Sequence, residues 1–241
     1  MNAPTCRASI LAQGLVLGLL LPAAAWAQPR PEDVHEQPKP AEIAARVKKI
    51  LDAKPEETLE VPGVARLVYK RVPLDVHALA LEFGGTLTGR EQPRGIPLDR
   101  YVRQFENHVQ QALDAYLAEV GTLEVLTPLT VKKKALPAAK LRCGVVMQNG
   151  RPGGFVLQGE ELPKGKPVLV KLKKHKTDDP PEADGTLRLR LVIPDPQPEG
   201  EERFDLHLRL TGLELVTNGP FQRVAGEGGD EPGKGGDADE E

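Results

Sequence analysis

The apolar positions of this chain change their period about half-way along. Over residues 98–120, Leu98, Val102, Phe105, Val109, Ala112, Leu113, Tyr116 and Val120 recur at steps of three and four. Arg100, Arg103, Glu106, Asn107, Gln110, Gln111, Asp114 and Glu119 take the other side. This spacing predicts one long amphipathic helix, with Pro97 at its start and Gly121 as a left-handed C-terminal cap. A shorter helix is predicted where Ile43, Val47, Ile50 and Leu51 share a face, and Pro55 stops it. Between the two helices, residues 65–72 carry Leu67, Tyr69 and Val72, and residues 76–83 are more apolar and end at Gly84-Gly85. Both segments read as strands.

From Thr122 onward the period is two. Leu123, Val125 and Val131 begin it, and Leu141, Cys143, Val145 and Met147 follow. After the turn signal of residues 149–154 come Phe155 and Leu157, then Val168, Val170 and Leu172, then Leu187, Leu189, Leu191 and Ile193. Phe204, Leu206, Leu208 and Leu210 close the series, which can run on to Leu215. Five or six strands joined by Gly/Pro-rich turns predict an antiparallel sheet. The fold class is therefore α+β, with N-terminal helices, one of them long and amphipathic, and a C-terminal antiparallel β-sheet. That sheet is expected as a sandwich or a half-open barrel.

The two ends differ from this body. Arg7 precedes an uncharged apolar run over residues 10–21, and Pro22 and Ala25-Trp26-Ala27 follow. A basic start, a short apolar stretch and small residues two apart are the parts of a cleavable secretory signal peptide, with the cut before Gln28. The run is short for a membrane span, and no later segment is long and apolar enough for one. The expected location is periplasmic or extracellular. Residues 226–241 read GEGGDEPGKGGDADEE and cannot bury enough surface to offset the entropy of ordering them, so a disordered acidic tail is expected. The chain divides into a signal peptide (1–27), a Pro-rich linker (28–40), a helix-strand-strand-helix region (41–121), an antiparallel β region (122–225) and the tail (226–241).

Processing alters the chemistry on offer. Cys6 leaves with the leader, so Cys143 is alone and a disulfide within the mature chain is excluded. Ser9 is the only serine, which excludes a serine hydrolase once the leader is gone. The net charge of −3 hides an uneven distribution: the leader carries +1 and the tail −6, which leaves the body at +2.

Strand alternation assigns an outer face to the β region. It turns Lys171, Lys173 and His175 outward from one strand, Arg188 and Arg190 from the next, and Asp205, His207, Arg209 and Thr211 from the last. If these strands are neighbours in chain order, the face is a basic field with a single carboxylate. Lys171, Lys173, His175, Arg188, Arg190, His207 and Arg209 are thus the candidate binding residues. Summed electrostatics suit an anionic polymer, a membrane surface or an envelope protein as partner. No aromatic residue is interleaved with these bases to stack on a nucleobase, which argues against nucleic acid.

Catalytic motifs do not stand out. His35, His77, His108, His175 and His207 show no zinc-type spacing, and His108 reads as a boundary residue of the long helix. Cys143 falls on the apolar phase of its strand and reads as a buried hydrophobe. The acidic loop of residues 178–185 matches no calcium loop, and the Gly-rich stretches do not connect a strand to a helix as phosphate loops do. No metal and no cofactor is expected. The residues point to an exported, non-enzymatic binding or scaffold domain. The alternatives are a hydrolase using Glu82, Asp114 or Asp205, and a structural part of an envelope assembly.

Overall fold

The computed structural model describes residues 36–148, 151–176, 185–195, 197, 202–210 and 213–224. The expected leader, the acidic tail, His35, Thr211 and most of the acidic loop lie outside the described residues. The chain begins with helix α1 (Pro40–Asp52), whose Ile43, Val47 and Leu51 are buried as their spacing predicts. Strands β1 (Glu56–Val61) and β2 (Ala65–Lys70) form a hairpin, of which only β2 was expected.

Residues 76–83 are not a strand. They belong to helix α2 (Val76–Gly84), in which Leu79, Ala80 and Phe83 are buried. The Asp75 side chain accepts hydrogen bonds from the N–H groups of His77 and Ala78 and so caps the helix. A short apolar run has no polar phase to reveal its period, and here the cap decides.

The single long helix is likewise corrected. It is helix α3 (Leu98–Val102), a tight 3-10 turn over Arg103–Phe105, and helix α4 (Glu106–Leu117). Its apolar stripe survives the break: Val102, Phe105, Val109, Leu113, Leu117 and Val120 are buried, while Leu98 at the outer end is 37% exposed. Gly121 does not cap the helix, which ends at Ala118 in right-handed conformation. It opens strand β3 (Gly121–Val125), where a Cβ would lie 2.4 Å from the Val68 carbonyl oxygen on β2. Gly121 is needed for close strand approach.

The remaining strands are β4 (Leu129–Val131), β5 (Lys134–Leu136), β6 (Lys140–Gln148), β7 (Arg151–Gln158), β8 (Val168–Lys174), β9 (Arg188–Val192), β10 (Arg203–Leu210), β11 (Leu213–Thr217) and β12 (Phe221–Arg223). All pair antiparallel, in the order β1-β2-β3-β6-β7-β8-β11-β10-β12-β4-β5, with β9 on β10. The last expected strand does not run on to Leu215. Leu210 pairs with Leu213, so β10 and β11 are the arms of a hairpin.

No strand ladder closes this sheet, but its ends approach. The Leu187 N–H donates to the Val72 carbonyl at 2.9 Å, and the Leu74 N–H to that of Gly185 at 2.8 Å. The Leu189 N–H donates to the Tyr69 hydroxyl at 3.0 Å, which itself donates to the Glu57 carboxylate. These bonds bring β9 back to the end of β2, which makes the half-open barrel of the expected α+β fold. The buried faces of α1, α2 and α4 join Leu67, Tyr69, Leu141, Cys143, Val145, Phe155 and Leu157 in one core. At the contact of α4 with β6, a Cβ on Gly144 would lie 2.2 Å from the Ala118 carbonyl carbon, so only glycine fits there.

Candidate functional site

The β8–β11–β10–β9 part of the sheet carries the candidate face. Strand β11 lies between β8 and β10, so the strands that bear the basic residues are not neighbours in chain order. Register sets two rows across them. Lys173 stands opposite Val216, Val216 opposite His207, and His207 opposite Arg190. One step along, the His175 N–H donates to the Glu214 carbonyl at 2.9 Å, Glu214 pairs with Arg209, and Arg209 with Arg188. Antiparallel partners project to the same face, so the two rows form one patch.

The patch is graded in depth. Lys171, Lys173, His175 and Arg190 are exposed, Arg188, Arg209 and Asp205 are half-buried, and His207 and Glu214 are buried at 6% and 4% exposure. The field therefore holds a second carboxylate, and that carboxylate is its best-buried charge. His207 Nδ1 and Glu214 Oε1 are 2.7 Å apart, and Arg209 Nε donates to Glu214 Oε2 at 3.2 Å. Burial pushes the Glu214 carboxyl up, but the bond to His207 and the Arg209 charge outweigh it and hold the group below the usual range. The His175 ring stands edge-on to His207, with centroids 4.9 Å apart. These two histidines are thus not scattered, as their sequence positions suggest, but meet across β11, which lies between their strands.

No family model, curated protein or solved structure matches the chain. The reading of the site therefore rests on its own geometry.

The other candidates fall elsewhere. Lys54 holds Glu82, and Asp114 accepts from Gln110 on α4, whereas Asp205 lies on the sheet patch. These three carboxylates are on three different elements. Cys143 is fully buried, and burial pushes its thiol up, away from the thiolate. His108 is half-buried beside the α4 stripe, as a boundary residue.

Two features have no counterpart in the sequence reading. His77, at the start of α2, places Nδ1 2.7 Å from Glu106 and Nε2 2.7 Å from Asp99. The bonds to Glu106 and Asp99 raise its pKa above the ordinary value. The β4–β5 turn carries Lys132 and Lys133 with φ of 47° and 64°, a left-handed pair that glycine or asparagine usually supplies. With Lys134 they make an exposed basic tip. The stem of Lys132 lies against Gly219, where a Cβ would be 3.0 Å from Lys132 Cγ. The neighbouring Asn218 N–H donates to the Lys171 carbonyl at 2.8 Å, so the tip adjoins the Lys171 end of β8.

The signal for Glu214 was present but weak. Thr211-Gly212 between two alternating runs is a two-residue hairpin connection, and Leu213 and Leu215 fall out of phase with Leu206, Leu208 and Leu210, but the short gap lets the two apolar runs read as one.

Proposed function

We propose that the mature chain is an exported binding domain that engages an anionic polymer or membrane surface through the β8–β11–β10–β9 face. The observation that carries this reading is the row Lys171, Lys173 and Arg190. These three exposed cations stand on strands held in fixed register, with Val216 and His207 between Lys173 and Arg190. Each exposed charge is worth little alone, and a repeating anion gains by meeting several at once. The Lys132–Lys134 tip extends the positive surface beyond β8, and residues on that turn hold backbone conformations that cost energy without adding core. The half-buried Arg209 is engaged by Glu214, which supports the exposed rim cations as the proposed contact groups.

Export supplies the setting. The leader composition supports it, and among the described residues no helix is long and apolar enough to cross a membrane. The acidic tail offers a loose internal competitor for the basic face, because it begins within a few residues of β12 in the sequence. The test is retention on a heparin column at low salt. The full chain should be retained, and more strongly once residues 226–241 are deleted. A body that shows no retention with the tail removed would overturn the reading.

A further inference from the structure

Three strands of the patch bring together a donor set that the chain order hides. A ring nitrogen of His175, a ring nitrogen of His207 and a carboxylate oxygen of Glu214 all lie within 4.8 Å of one another. We propose that these three side chains form a binding site for a divalent transition-metal ion of the zinc class.

The chemistry of the donors selects the ion. Two imidazoles and one carboxylate suit zinc and its first-row neighbours, whereas calcium and magnesium take oxygen donors throughout. Three protein ligands leave a coordination position for water or an anion, the arrangement of an open zinc site. Zinc bonds of about 2.0–2.1 Å set tetrahedral ligand atoms roughly 3.3 Å apart. The His207–Glu214 contact of 2.7 Å must therefore open by about half an ångström, and His175 must close in. His175 can do so, because it is exposed and follows the last residue of β8.

The site is built rather than incidental. The side chains of His207 and Glu214 are 8% and 3% exposed, so their positions are set by sheet packing and not by solvent. Register fixes them as a diagonal pair across the β10–β11 hairpin. Arg209 Nε grips the second oxygen of Glu214, which leaves the first free to turn from the His207 proton to a metal. That is the outer-sphere bond a ligating carboxylate needs for orientation. A metal here would replace the hydrogen bond between His207 and Glu214 and neutralise the charge of a buried carboxylate. Of the three ligands only His175 is exposed, so the site is reached from the solvent side. The Lys173 and Arg190 row would then favour an anion as the remaining ligand. The metal site depends on its own donors and stands whether or not the wider face binds polymers.

The experiment uses the full chain, stripped with chelator and titrated with Co2+. The expected result is one equivalent of Co2+ with the visible absorption of a low-coordinate nitrogen–oxygen site, removed by one equivalent of Zn2+. His175→Ala should weaken binding by about tenfold or more while leaving the far-ultraviolet circular dichroism unchanged, because that side chain is exposed. Glu214→Gln should do the same. If that variant fails to fold, His175→Ala decides alone. No visible band, or a His175→Ala chain that binds Co2+ as tightly as wild type, would overturn the proposal. Heparin retention measured in chelator reads the cationic rim alone, so failure of one reading is distinguishable from failure of the other.

Discussion

Tyr69 holds two distant segments with one hydroxyl. It is fully buried, donates to Glu57 and accepts the Leu189 N–H, so loss of its hydroxyl strands a buried amide, while Glu57 keeps its ion pair with Arg71. Tyr69→Phe should cost about 1–3 kcal/mol of unfolding free energy. Tyr116→Phe removes a bond to the Asp52 carboxylate at the surface and should cost well under 1 kcal/mol. Equal losses in denaturant titrations would mean that the β2–β9 closure does not depend on the hydroxyl. His77 ties α2 to Asp99 on α3 and Glu106 on α4. Its pKa is raised from 6.5 by Glu106 and Asp99, and Arg103 is the cation beside Asp99. A raised pKa stabilises the fold below the unfolded value and loses that effect as pH climbs through the folded one. The stability gap between wild type and His77→Ala should therefore be wider at about pH 6 than at about pH 9, and should narrow in high salt. A gap that does not change with pH would show that the three groups are not coupled.

At the scale of elements, the stripe of α3 and α4 was legible because it spans six turns, and its break was not. Phe105 sits in the 3-10 turn itself, packed edge-on against Phe83 at 5.6 Å and Tyr101 at 5.5 Å. Phe105→Ala should cost about 3–5 kcal/mol. Gln110→Ala, on the polar side and bonded only to Asp114, should stay within about 0.5 kcal/mol. A silent Phe105 would mean that the helices do not pack as described. Helix α2 was misread because Ala78, Leu79, Ala80 and Leu81 are continuously apolar and only His77 and Glu82 flank them before Phe83, a pattern both periods allow. Strand β1 was missed for the opposite reason: its Glu56, Glu57 and Glu60 leave too few apolar positions to show an alternation. The candidate site divides in the same way. The outward phase of β8, β9 and β10 could be read because each has an uninterrupted inner row of Leu, Val or Phe. The histidine–glutamate cluster could not, because strand order is a property of pairing and not of local pattern.

At the scale of the whole molecule, the half-open barrel places one edge of its sheet under opposing demands. Its inner face completes a core shared with the helices, and its outer face carries cations around a buried carboxylate. A protein that needed this face only for solubility could use mixed charges without a buried ion pair, whose desolvation is costly. Binding through this face, as proposed, depends on the position of the cations and not on net charge, and that can be measured directly. In one variant Lys171, Lys173 and Arg190 become Gln. In the other Lys49, Arg66 and Arg100, exposed on α1, β2 and α3, become Gln. Both lose the same charge. The salt concentration that elutes each from heparin should fall sharply for the first and stay near the wild-type value for the second. Equal shifts in the two variants would contradict the assignment of binding to this face.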